Sequence, residues 1–170
     1  MKAIKGRRSI RRYKDQPVSD ELLMKLVEAG VWAPTGGNAQ NWLFIVVRDR
    51  ERIAKIKAVS PGILAVPAAL IAVCVDKERA YKRGGKRGRD LTSVMDAAMA
   101  SQNIMLQAFE EGLGSCAVLS FHKQGVQKLL RLPEGIEPEL LIQVGYPAED
   151  PEPPQRKFKE VLFFETYNEP

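Results

Sequence analysis

Eight consecutive residues, Ala68–Val75 (Ala-Ala-Leu-Ile-Ala-Val-Cys-Val), carry no polar side chain. An apolar run of that length without alternation is a strand buried on both faces, so other layers must cover it above and below. Trp42–Val47 reads as another buried strand, rich in aromatic and β-branched residues. Ser115–Leu119 and Leu140–Val144 follow as further strands. At 170 residues the chain is long enough for one domain that buries about 70% of its extended-chain surface.

The covering layers are visible as helical periodicity. Ser19 can cap a helix whose first turn holds Asp20 and Glu21, favourable at the positive end of the helix dipole. Leu22, Leu23, Leu26 and Val27 form its apolar face, and Pro34 bounds it. Asp49 can cap a shorter helix with Ile53, Ile56 and Val59 inward, broken by Ser60-Pro61-Gly62. Asp90 or Thr92 starts the longest helix, to about Glu111, with Val94, Ala97, Ala98, Ser101, Ile104, Met105, Ala108 and Phe109 available to face inward. Its small residues also permit close approach of another helix, within the chain or across a subunit interface. A last short helix spans about Gln124–Leu132. Between the second strand and the longest helix, Lys77, Arg79, Lys82, Arg83, Lys86, Arg87 and Arg89 crowd a glycine-containing segment. The expected structure there is a solvated loop; the functional alternative is a lid that attracts nicotinamide phosphates or an acidic substrate. Three prolines in 148–155 exclude regular structure, and the apolar patch Val161–Phe164 ends the arm beyond them.

Several chemistries are excluded early. A single histidine, His122, rules out a site of several imidazoles and fits a surface position or a helix start. Cys74 and Cys116 have no metal or redox spacing and suit a reducing compartment. Gly112-Leu-Gly114-Ser-Cys-Ala117 matches the dinucleotide fingerprint in form only, because a helix precedes it and a strand follows. There is no Walker loop and no nucleophile elbow. The N-terminus lacks a secretory h-region, and Ile63–Val75 is interrupted by Pro67 and too short to span a bilayer, so a cytoplasmic protein with no membrane role is expected. The net charge of +5 favours anionic partners in general.

The residues with most chemistry are Arg7-Arg8-Ser9-Ile10-Arg11-Arg12-Tyr13 and Ala33-Pro34-Thr35-Gly36-Gly37-Asn38-Ala39-Gln40-Asn41-Trp42. Guanidinium forks match phosphate oxygens bidentately and a serine hydroxyl adds a short donor. In an extended backbone Arg7, Ser9 and Arg11 share one face. By itself, such a basic start is equally a solvated terminus or a patch for nucleic acid or anionic lipid.

In order and spacing these stretches resemble the opening of the nitroreductase family of flavoproteins. Ala100-Ser101-Gln102-Asn103, Glu111-Gly112-Leu113-Gly114-Ser115-Cys116, Val144-Gly145-Tyr146-Pro147 and Arg156 ahead of Glu160-Val161 extend the likeness along nearly the whole chain. The resemblance implies an α+β fold: a mixed, largely antiparallel sheet flanked by helices, in a homodimer with exchanged C-terminal arms. Residues 1–150 would form the FMN-binding domain and 151–170 its arm. It further implies that Arg7, Arg8, Ser9 and Arg11 contact the phosphate, ribityl chain and pyrimidine end of FMN, joined by Arg156. From the other subunit, Pro34, Thr35, Gly36, Asn38 and Gln40 would flank the ribityl chain and ring, and the backbone of Val118, Leu119 and Ser120 would meet the central ring. The chain departs from the family pattern at Leu119-Ser120, at Ala117 and at Pro154, where relatives often carry glycine, tryptophan and lysine.

A chain without an evident acid, base or nucleophile suits an enzyme whose cofactor carries the hard chemistry. The expected activity is hydride transfer from NADH or NADPH through FMN to a nitroaromatic, quinone or similar small electron acceptor. Two rivals are a flavin carrier or sensor without turnover, and a nucleic-acid-binding module built on Arg7–Arg12 and 77–89. The second is disfavoured by sparse aromatic residues among the cations.

Overall fold

A computed structural model describes residues 1–167. Four strands form one sheet in the order β1-β2-β4-β3, with β1 at Trp42–Val47, β2 at Ala69–Asp76, β3 at Gly114–Val118 and β4 at Ile136–Gly145. All three pairings are antiparallel, and among the described residues a parallel component enters only as the bridge between Ser9 and Ser115.

The unalternating run of β2 is buried as its composition demands. Ala69, Ile71, Val73 and Val75 face one layer with Leu23, Leu26, Ala97, Ile104 and Ala108, which belong to α2 (Asp20–Val31) and α5 (Ser93–Glu110). Leu70, Ala72 and Cys74 face the other with Ile53, Ile56 and Val126, from α3 (Arg50–Ala58) and α6 (Lys123–Leu130). Each fully buried Leu or Ile in these layers contributes about 1.5–3 kcal/mol. Pro138 sits inside β4, where it cannot donate to the ladder; the register shifts opposite it, between Val73 and Cys74.

Local signals set the helix starts. Ser19 Oγ accepts from Leu22 N–H at 3.3 Å, Asp49 from Arg52 N–H at 2.8 Å, and His122 Nδ1 from Gly125 N–H at 3.0 Å. The expected role of His122 at a helix start is thus observed. The helix α5 stops at Gly112, whose φ of +72° suits glycine, and Leu113 N–H closes the turn on Ala108 O at 2.7 Å. This is why the Gly-Leu-Gly pattern occurs without a dinucleotide fold. Gly114 has a separate reason: a Cβ there would lie 2.7–2.9 Å from Ile10, the residue that pins the N-terminal strand to β3.

Three expectations need correction, and one element was not foreseen. Residues 77–89 are not a loop: α4 (Lys77–Arg87) is helical on both sides of a break at Gly85, and a π-helical turn, Gly88–Thr92, joins it to α5. Asp76 Oδ1 caps it through Arg79 N–H at 2.8 Å, and neighbouring carboxylates offset several of its cations, so charge alone did not unfold it. The strand β1 is an edge rather than a buried strand, with Leu43 and Val46 exposed, because only β2 pairs with it. On α5, Val94 and Ala98 face out, and the inward stripe is Ser93, Asp96, Ala97, Ala100, Ser101, Ile104, Met105 and Ala108. Finally, Lys2–Gly6 form a short helix, α1, that no sequence signal announced.

Residues 151–157 are irregular, as three prolines required, and 158–167 form loose turns. Phe158, Val161, Leu162, Phe163, Phe164 and Tyr167 are all exposed. The end of the 151–170 arm, 168–170, lies outside the described residues. Among the described residues no helix is long and apolar enough to cross a membrane.

Candidate functional site

The N-terminal cations gather at one end of the sheet. Ile10 N–H donates to Ser115 O at 3.0 Å, and Tyr13 bridges Pro147, so residues 9–13 run along the β3 edge. A cleft of about 160 Å³ opens beside them, walled by Arg7, Arg8, Phe109, Gly112, Ser115 and Glu149, among others. The simple alternation of Arg7, Ser9 and Arg11 does not describe this cleft: Arg7 and Arg8 wall it, whereas Arg11 is exposed nearby. Arg8 Nη1 donates to the carbonyls of Lys5, Gly6 and Arg7 at 2.8, 3.1 and 2.9 Å, which closes the end of α1. Its Nε is buried and has no acceptor among the described residues, and neither has the buried Ser115 Oγ a partner.

Glu149, which sequence reasoning missed, accepts from Arg11 N–H at 2.5 Å and Arg12 N–H at 3.2 Å. It fastens the segment that leads into the C-terminal arm to the basic stretch at Arg11–Arg12. The Tyr13 hydroxyl donates to Ile10 O at 2.5 Å, and burial pushes that phenol well above its ordinary range. Tyr13 is therefore a neutral strut here and no acid–base group.

The amide-rich loop stands elsewhere. Thr35, Gly36, Asn38 and Gln40 surround a tight turn in which Gly37, Asn38 and Gln40 have φ of +58°, +53° and +46°. Non-glycine residues hold that conformation only when their surroundings enforce it. Here Gln40 N–H donates to Thr35 Oγ1 at 3.1 Å and Gln40 Nε2 to Asn38 Oδ1 at 2.9 Å. The main anchor is Asp96, buried on α5, which accepts from Gly36 N–H at 3.0 Å and Asn41 Nδ2 at 2.9 Å. Asp96 went unnoticed in the sequence, although its spacing from Ser93, Ala97 and Ala100 puts this lone acid on the inward face of a helix. Pro34, Gly36, Asn38 and Gln40 remain exposed.

The third group, Val118, Leu119 and Ser120, ends β3 at the far corner from Gly114. Val118 is buried, Leu119 and Ser120 are exposed, and Ser120 O accepts from Gly62 N–H at 3.1 Å. Arg156 lies exposed in the irregular arm.

One chain therefore does not assemble these residues into one site. The Arg7 cleft touches Phe109 at the C-terminal end of α5, and Gly36 is bonded to Asp96 near its N-terminal end. The rise of the helix between those two positions is about 20 Å. Exposed apolar side chains include Leu91 in the π-helical turn, Val94, Met95 and Met99 on α5, Trp32 after α2, and Leu119 after β3.

The family model described as "Nitroreductase family" matches residues 4–65 and 60–146. The chain is 39% identical over 158 residues to a Methanothermobacter thermautotrophicus protein named as a candidate NADH dehydrogenase/NAD(P)H nitroreductase, covering 89% of this chain and 78% of the other. An Archaeoglobus fulgidus protein of the same name is 36% identical over 156 residues, with 88% and 86% covered. The solved structure of a Clostridium difficile nitroreductase family protein superposes with a TM-score of 0.85 at 32% identity, covering 97% of each chain.

Proposed function

The chain belongs to the nitroreductase family, and from that premise we propose that it is an FMN-dependent oxidoreductase. It passes a hydride from NADH or NADPH to a nitroaromatic, quinone or similar small electrophile, and works as a homodimer. The observation that carries this reading is the separation of its two polar clusters along α5, a helix that leaves Val94, Met95 and Met99 exposed. A second copy packed on that surface would bring the Arg7 cleft of one protomer to the 34–40 loop of the other.

The donors fit the phosphate end of FMN. Arg7 has no carboxylate within ion-pair distance among the described residues, Arg8 Nε lacks an acceptor and Ser115 Oγ lacks a partner, all on one cleft whose size suits a phosphate and not a tricyclic ring. A dianion there would satisfy these donors and offset their mutual repulsion. Arg11 and Ser9 extend the same surface, and Arg156 would join from the arm. The Glu149 carboxylate on the rim is already engaged by two backbone N–H groups, which limits its repulsion of an anion.

Bound FMN would supply the two-electron chemistry, accepting hydride from the dinucleotide and giving it up to the acceptor. The chain's part is to hold and orient. Thr35, Gly36, Asn38 and Gln40, kept in one conformation by Asp96, would present amide donors and acceptors to the ring and ribityl chain. Exposed backbone at Leu119 and Ser120 would face the ring from the β3 corner. No side chain is assigned as proton donor; solvent or the substrate completes the proton balance.

The test is spectroscopic and kinetic together. The purified protein should hold FMN at about one per chain and oxidise NADH or NADPH only when an acceptor or oxygen is present. Protein that binds FMN yet never turns over is a carrier or sensor, and protein that refuses added FMN ends the proposal.

A further inference from the structure

A second cleft, of about 270 Å³, lies between the Gly36–Gly37 turn and α4, and its walls include Asn41, Arg83, Gly84 and Arg87. Most cations of the 77–89 segment are answered by acids. Lys77 meets Glu139 and Glu137, Arg79 meets Asp76, Lys82 meets Glu78, and Lys86 and Arg89 share Asp90. Among the described residues, Arg83 and Arg87 alone in that segment have no carboxylate within ion-pair distance, and they are the two that wall the cleft.

They lie on either side of a break in α4 and both line the cleft, where two like charges repel unless an anion sits between them. The surroundings are shaped for close approach. A Cβ built on Gly37, Gly84 or Gly85 would meet nothing within 4 Å, and Gly85, at φ +58° and ψ −151°, breaks the helix beside the two guanidinium groups. Arg79 Nη1 donates to Gln40 O at 3.0 Å and so fixes the helix against the loop. On the inner wall Asn41 is buried, and with Nδ2 committed to Asp96 its Oδ1 has no donor among the described residues. Two forks for an anion and an acceptor for a hydroxyl are the recognition chemistry of a sugar phosphate.

We propose that this cleft takes a phosphate of the reduced nicotinamide dinucleotide, and that Arg83 and Arg87 are its specificity-determining residues. The inference rests on the oxidoreductase reading above, since that reading requires a dinucleotide donor beside the 34–40 loop. It also gives α4 the capturing role considered for a mobile lid, performed by a fixed helix.

The experiment uses flavin-loaded full-length protein and measures binding of 5′-AMP, 2′,5′-ADP and inorganic phosphate by calorimetry. Wild type is compared with Arg83→Gln/Arg87→Gln, with Arg83→Lys/Arg87→Lys, and with Lys82→Gln as a control that removes a cation paired away from the cleft. Loss of one charge-assisted contact weakens binding by about tenfold or more, so the Gln pair should lose nucleotide affinity by about a hundredfold. The Lys pair should fall between, because charge is kept and the fork is lost. KM for the dinucleotide should rise with kcat and flavin content unchanged. Tighter binding of 2′,5′-ADP than of 5′-AMP places the 2′-phosphate in the cleft; equal binding places the pyrophosphate end there. Unchanged nucleotide affinity in the Gln pair overturns the proposal, and so does a KM effect confined to an anionic acceptor such as 4-nitrobenzoate. If arginine-dependent nucleotide binding is found in a protein that never oxidises the dinucleotide, the cleft stands and the oxidoreductase reading falls.

Discussion

The strand β2 and the C-terminal arm are both apolar, yet their fates differ. The chain itself buries every residue from Ala69 to Val75, on two faces and between two neighbouring strands. The arm holds Phe158, Val161, Leu162, Phe163, Phe164 and Tyr167 in solvent; among its described residues the one internal ring contact is Phe163 with Tyr167, centroids 4.6 Å apart. Apolar sequence becomes core only where the same chain supplies a complementary surface. An apolar cluster of this size left uncovered marks an interaction surface. The sheet and its helices are a finished structure, whereas the arm, the outer stripe of α5 and the two polar clusters are, on the proposed reading, halves of something larger.

Removing residues from Pro151 onward tests the difference at its widest. The truncated chain should keep its helical and sheet signal, sediment as a monomer and lose FMN; unchanged sedimentation would show that the arm is not part of the interface. In the finished half, Ile71→Ala should reduce unfolding free energy by about 2–5 kcal/mol in denaturant titrations, through lost burial and a cavity. That loss should be the same with or without the arm.

In the unfinished half, Arg7→Ala with Arg11→Ala should weaken FMN binding on the order of a hundredfold, each lost charge-assisted bond counting about 1.5–3 kcal/mol. Circular dichroism should not change, since neither side chain is bonded to the core. Asp96→Asn should act on both halves, removing one of two acceptors of the 35–41 loop at about 1–2 kcal/mol in stability and a few-fold in FMN affinity.

An effect confined to alkaline pH, and absent at neutrality, concerns Cys74. Burial, with Glu139 nearby, pushes its thiol from 9.0 up to about 12. A raised folded-state pKa favours the protonated native form, so its contribution is complete below pH 9 and is lost between 9 and 12. The slope in that window is up to about 1.4 kcal/mol per pH unit. Cys74→Ala should flatten stability against pH there, and the native thiol should resist alkylation at pH 8.

Much of the finished half was legible in sequence, because burial leaves a periodic record. The caps at Ser19 and Asp49, the run in β2 and the prolines of 148–155 each dictate local structure by their own chemistry. What sequence concealed depended on neighbours. The edge position of β1 follows from strand order, which no residue in Trp42–Val47 encodes. The helix at 77–89 depends on Asp76 and Asp90 answering its cations and on Gly88, where a Cβ would lie 2.4 Å from Ala80 O. The proposed site residues stand in the sequence as a family pattern, but the anchors Asp96 and Glu149 act through tertiary contacts and carry no motif. Nor could spacing reveal that Arg7 and Gly36 approach opposite ends of one helix.

The central claim is that two chains complete each flavin site, and complementation measures it most directly. One variant, Arg7→Ala/Arg11→Ala, lacks the phosphate cations; another, Asn38→Ala/Gln40→Ala, lacks the loop amides. Co-expressed with different tags and purified as the heterodimer, they should recover about one FMN per dimer, because one of the two shared sites receives both intact halves. Recovery of none, with each variant alone equally empty, would contradict the account and return the whole site to a single chain.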